Sequence, residues 1–141
     1  MQGAKTFEDL IVWRKAHECV LGIYRPTGSF PREEVYGLTA QVRKAAVSIP
    51  ANIAEGFKRR SRLEKVRFLN ISQGSAEEIR YYLRLGRDLG YGHNDALGAL
   101  LEEVSKLLEA YRRSIIMSLP PLARPAFSVI ANLFWILDSG F

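Results

Sequence analysis

Six cations crowd into ten residues of this sequence: Lys58, Arg59, Arg60, Arg62, Lys65 and Arg67, with Glu64 the one acid among them. Six charges less one give the segment +5, equal to the formal charge of the whole 141-residue chain. Such a concentration is the electrostatic footprint of phosphate binding, and it makes these six residues the candidate nucleic-acid contacts. The basic side is also dominated by arginine, whose planar fork suits bidentate phosphate contacts. The plainer reading is a solvated turn kept soluble by its charge. A second pattern is polar but uncharged in the main. Gln41, Ala45, Ser48, Asn52 and Glu55 recur at spacings of 4, 3, 4 and 3, which places them on one face of a helix. Ser72, Ser75 and Ile79 repeat at 3 and 4 further along, beside Gly74 and Glu78. Small residues permit close helix approach, and polar groups buried there must find partners. Gln41, Ser48, Asn52, Glu55, Ser75 and Glu78 are therefore expected to form a structural polar seam. A ligand or catalytic pocket is the competing reading, but no nucleophile or metal ligand converges on the stripe.

The remaining chemistry can be tested residue by residue. A di-metal carboxylate site in a helical bundle needs Glu-x-x-His pairs, and none of the eleven glutamates is followed three residues later by histidine. There is no CxxC or HExxH, and no strand for a glycine-rich phosphate loop to follow. Cys19, the single cysteine, lies in an apolar-periodic stretch and reads as a buried, inert thiol. His17 is two residues away, and an i, i+2 pair on a helix points to different faces. No catalytic, metal or cofactor residue is expected, so the protein reads as non-enzymatic.

These residues need helices to position them. Apolar residues Phe7, Leu10, Ile11, Ala16, Val20 and Ile23 follow a Thr6/Asp9 capping pattern, predicting a first helix from Thr6 that ends before Pro26. The segment PTGSFP is a turn. A second helix is predicted over residues 31–57, opened by Pro31 with Glu33 and Glu34 in its first turn, carrying Leu38, Val42, Ile49 and Ile53 inward and kinked by Pro50 near residues 46–50. Ser61 and Glu64 signal the start of a third helix bearing Leu69, Ile79, Leu83 and Leu89, which stops at Gly90-Tyr91-Gly92. Asn94 caps a fourth, whose apolar stripe runs from Leu97 to Ile115 before Pro120 and Pro121. Four helices with short turns give an all-α fold, an antiparallel up-down four-helix bundle over residues 1–118. Residues 119–141 form a proline-rich tail ending in the apolar run SVIANLFWIL, too short to span a bilayer and expected to add a short helix. The N-terminus lacks the pattern of a signal peptide, which points to the cytoplasm. Aromatic residues Trp13, Phe68, Tyr81 and Tyr82 give the bundle more apolar surface than one core covers, so self-association is expected.

The phrases FEDLIVWRKA, FPREEVYGLTAQVRKAAVSIPANIAEG, RFLNISQGSAEEI and LGRDLGY resemble, over about residues 7–117, the bacterial four-helix-bundle proteins encoded within intervening sequences of 23S rRNA genes. More distantly, the chain is similar to the accessory proteins of diversity-generating retroelements. The resemblance implies an up-down bundle, no enzymatic activity, assembly into rings of five, and, from the distant relatives, contact with nucleic acid and another protein. It maps onto Trp13, Gln41, Ser48, Pro50, Asn52, Glu55, Gly56, Gly74, Ser75 and Glu78, read as structural positions. The tail 119–141 has no counterpart in it. The leading expectation is a homo-oligomer, pentameric by resemblance, that binds nucleic acid, RNA before DNA, through backbone charge. The rival is a protein-interaction scaffold.

Overall fold

The computed structural model describes residues 3–124. Four α-helices account for most of them: α1 (Ile11–Thr27), α2 (Leu38–Lys58), α3 (Arg62–Asp88) and α4 (Asp95–Met117), with short 3-10 turns at Phe7–Asp9, Arg32–Glu34 and Pro121–Ala123. Each helix packs on the next and α4 returns to α1, while the backbones of the diagonal pairs stay farther apart. Short links make successive helices antiparallel, so the molecule is the four-helix bundle that the periodicity predicts, and no strand occurs among the described residues. One contiguous core runs along its axis, with Ile23, Ile49, Ile53, Leu69, Ile79, Leu101 and Leu108 sealed from solvent.

The helix starts differ from the sequence prediction in two places. Asp9 does reach back, accepting from the N–H of Thr6 at 2.9 Å and of Lys5 at 2.8 Å, but the turn it closes is a three-residue 3-10 turn. Leu10 is then extended at φ −77°, ψ 125°, and α1 begins at Ile11, which faces solvent rather than the core. Likewise residues 31–37 do not continue into α2. They make a separate 3-10 turn, and Gly37 breaks the chain at φ −104°, ψ −119°. The Glu34 carboxylate accepts from the Leu38 N–H at 2.8 Å and from the Tyr91 hydroxyl at 3.1 Å, capping α2 and tying its start to the α3–α4 link.

Both interior prolines are tolerated. α1 runs through Pro26 to Thr27, because a proline in the last turn removes one backbone bond and the end is closed by side chains. The buried Thr27 hydroxyl donates to Ile23 O at 2.7 Å, and Arg43 of α2 donates to Tyr24 O at 3.2 Å and to Thr27 Oγ1 at 3.0 Å. Pro50 is buried in a helix that continues unbroken to Lys58. Leu89, placed on the third helix by its spacing, is the exposed residue that caps α3 just past Asp88. Beyond α4, Leu119 is buried and residues 121–123 turn once, whereas the apolar run 128–137, expected as a fifth helix, lies outside the described residues.

Candidate nucleic-acid interface

Between α2 and α3 the chain turns through Arg59, Arg60 and Ser61, and the Ser61 hydroxyl accepts from the Glu64 N–H to start α3. The C-terminus of α4 lies beside this turn, since Arg62 Nη1 donates to Ser118 O at 2.8 Å. Two helix C-termini therefore meet the basic segment. Their last carbonyls have no intrahelical partner and carry the negative end of the helix dipole, so they draw cations.

Three of the six cations answer that demand or pack on the bundle. Lys65 Nζ donates to Phe57 O at 2.6 Å and Gly56 O at 3.3 Å, closing α2, and partial burial lowers its pKa. Arg62 closes α4. Arg59 lies over the Phe68 ring, 4.8 Å from its centroid, and pairs with Glu55 at 3.5 Å. Lys58, Arg60 and Arg67 are exposed and have no hydrogen-bond or ion-pair partner among the described residues. Lys58, Arg60 and Arg67 are thus the side chains of the cluster whose donors are all free, on a turn where Arg62 and Lys65 keep their charge while bonded to backbone carbonyls and Arg59 is paired with Glu55. Arg124, which sequence reasoning missed, also donates to Met117 O and Leu119 O, each at 3.1 Å. A cation just past a helix C-terminus is the signal that would have found it.

The polar seam forms in part. Ser48 Oγ and Ser75 Oγ are 2.8 Å apart across α2 and α3, and Asn52 Nδ2 donates to Ser48 O at 2.7 Å and Ser48 Oγ at 3.0 Å. Ser72, buried, donates to Ile49 O at 3.0 Å and adds a second cross-helix bond. Gln41, Glu55 and Glu78 do not join this network. All three are exposed, and Glu55 turns to Arg59 instead. Asn52 and Ser48 are half-buried rather than sealed. Helical spacing identifies a shared face but not its depth, and the wider ends of this face open to solvent.

Other reactive groups are occupied or buried. Burial pushes the Cys19 thiol up to about 11, which keeps it protonated. His17 is stacked on Trp13 at 5.2 Å, and Phe7 tilts against the same indole at 4.9 Å. Trp13, Phe68 and Tyr82 are half-buried, so of the four aromatics expected outside only Tyr81 stands clear. Among the described residues, no three His, Cys, Asp or Glu side chains stand close enough to hold a metal ion, and no helix is long and apolar enough to cross a membrane.

A family model described as 23S rRNA-intervening sequence protein matches residues 8–111. Among solved structures, a protein with unknown function from the S23 ribosomal protein family of Bacteroides thetaiotaomicron VPI-5482 is similar, with a TM-score of 0.65 and 25% identity, covering 73% of this chain and 96% of its own. No curated protein matches the chain.

Proposed function

Since the chain belongs to the 23S rRNA-intervening sequence protein family, we propose that it is a non-enzymatic, cytoplasmic homo-oligomer that binds nucleic acid, RNA before DNA, through phosphate contacts at the α2–α3 turn. The observation that carries this reading is the unengaged state of Lys58, Arg60 and Arg67. Elsewhere among the described residues Arg80, Arg84 and Arg112 are matched by carboxylates and the unmatched Arg25, Arg32, Arg87 and Arg113 are scattered along the sequence, whereas this turn presents three unmatched cations within ten residues. Phosphate contacts of this kind position a backbone without reading bases, so sequence preference should be weak. Self-association is supported by apolar side chains left outside the bundle, among them Val47 of α2, Ile71 and Tyr81 of α3, and Tyr36 before α2. The count of five rests on the resemblance alone.

Fluorescence anisotropy with labelled RNA and DNA of unrelated sequences, repeated at several salt concentrations, tests the proposal. Binding should weaken steeply and linearly in log affinity against log salt, with little dependence on base sequence. Absence of binding at low salt would overturn it and leave the protein-interaction scaffold as the better account.

A further inference from the structure

At the end of the bundle remote from the basic turn, the last turns of α1 and α3 and the first of α4 leave a cleft of about 400 Å³. That volume falls within the range of small-molecule sites, roughly 300–1,000 Å³. Its walls are chiefly apolar and include Phe30, Leu83, Tyr91 and Leu97, and the Phe30 and Tyr91 rings meet at 5.4 Å, tilted by 50°. The Tyr91 wall is anchored by its hydroxyl to Glu34.

The charged side chains lining the cleft are two arginines, Arg84 and Arg87, and the His93 imidazole lines it beside them. No carboxylate lines it; three acids nearby are bound to partners, while Glu33, whose charge reaches Tyr91, has none among the described residues. Asp88 holds Arg84 at 3.0 Å, Asp95 sits 2.6 Å from His93, and Glu34 holds Tyr91. Arg87 is exposed at the rim and has no hydrogen-bond or ion-pair partner among the described residues. Apolar walls with two aromatic faces and a single uncommitted guanidinium complement a flat apolar body that carries one negative charge. We propose that this cleft binds a small aromatic monoanion, its ring against Phe30 and Tyr91 and its acid group on Arg87. Such binding is independent of nucleic-acid binding, which involves the opposite end of the molecule.

Gly98 supplies the control. It lines the cleft, and a Cβ added there meets nothing within 4 Å, so a phenylalanine is accommodated without displacing the core and is expected to crowd the cleft. The full chain would be titrated with 2-naphthoate and with uncharged 2-naphthamide, following backbone amide shifts by NMR. Naphthoate is expected to shift the amides of Phe30, Tyr91 and Gly98 and to bind more tightly than the amide. Arg87→Gln should weaken naphthoate by about tenfold or more and leave naphthamide unchanged, as removal of one charge-assisted hydrogen bond requires. Gly98→Phe should abolish both. Equal affinity for acid and amide, shifts confined to other parts of the bundle, no binding of either probe, or binding that survives Gly98→Phe would each overturn the proposal. The shift map of the parent protein keeps the test decisive even where a variant melts early.

Discussion

Lys65 and Arg60 lie five residues apart in one basic run, yet only Lys65 donates to backbone carbonyls, those of Gly56 and Phe57. The two should respond differently to truncation. Lys65→Met leaves the end of α2 without its donor and is expected to cost about 1–2 kcal/mol in urea unfolding. Arg60→Ala, at an exposed side chain without a partner, should stay within about 0.5 kcal/mol of the parent. Arg62→Ala should cost less than Lys65→Met, because the Ser118 O it frees is exposed and takes a water instead. This division was not legible in the sequence. Charge and spacing mark all six cations alike, whereas what separates them is an acceptor supplied by the fold, in the case of Arg62 by a carbonyl 56 residues away. Cys19 is the opposite case, since its apolar neighbours in sequence already signalled the buried thiol.

The α2–α3 pair is the most extensive of the bundle's packings, and at Gly56 the two helices come close. A Cβ there would stand 2.9 Å from the Cβ of Phe68, an atom that cannot swing aside as the tip of a long side chain can. Gly56→Ala should push the helices apart and cost about 1–3 kcal/mol. Asn52→Leu removes both bonds to Ser48 within α2 and is expected to cost about 1 kcal/mol, a modest penalty because the site is half-buried. On α4, Arg112 grips Glu109 through two bonds of 2.8 Å, and this pairing holds the carboxyl below its ordinary 4.5. A depressed folded-state value contributes stability above the unfolded value and loses it as pH falls through the folded one. Urea midpoints followed from pH about 6 to about 3 should therefore drop less in Arg112→Gln than in the parent. Helix number, the Ser61 and Asn94 caps and the glycine turn before α4 were all readable from periodicity and punctuation. The starts of α1 and α2 were not. A capping pattern at Thr6 fits a 3-10 turn as well as an α-helix, and the real cap of α2 is Glu34, four residues before Leu38, working through a side chain rather than the N-cap position.

Taken whole, the molecule presents two unlike ends, a basic turn where α2, α3 and α4 meet and an apolar cleft with a cationic rim where α1 gives way to α2 and α3 to α4. Its sides leave Val47, Ile71 and Tyr81 uncovered. Light scattering at micromolar concentration is expected to give a mass of several chains, and a value near 15.9 kDa would contradict self-association. In a ring, the basic turns of the protomers would act together, multiplying weak phosphate contacts. The most direct test of the basic turn's role replaces its free cations and spares the engaged ones. Lys58→Ala/Arg60→Ala/Arg67→Ala should unfold in urea like the parent yet bind RNA and DNA more weakly at low salt. The slope of log affinity against log salt should become shallower by roughly 0.7–0.9 for each phosphate that is no longer neutralised in each protomer engaged. An unchanged affinity and an unchanged slope would contradict phosphate binding at this turn and reduce it to a solubilising surface.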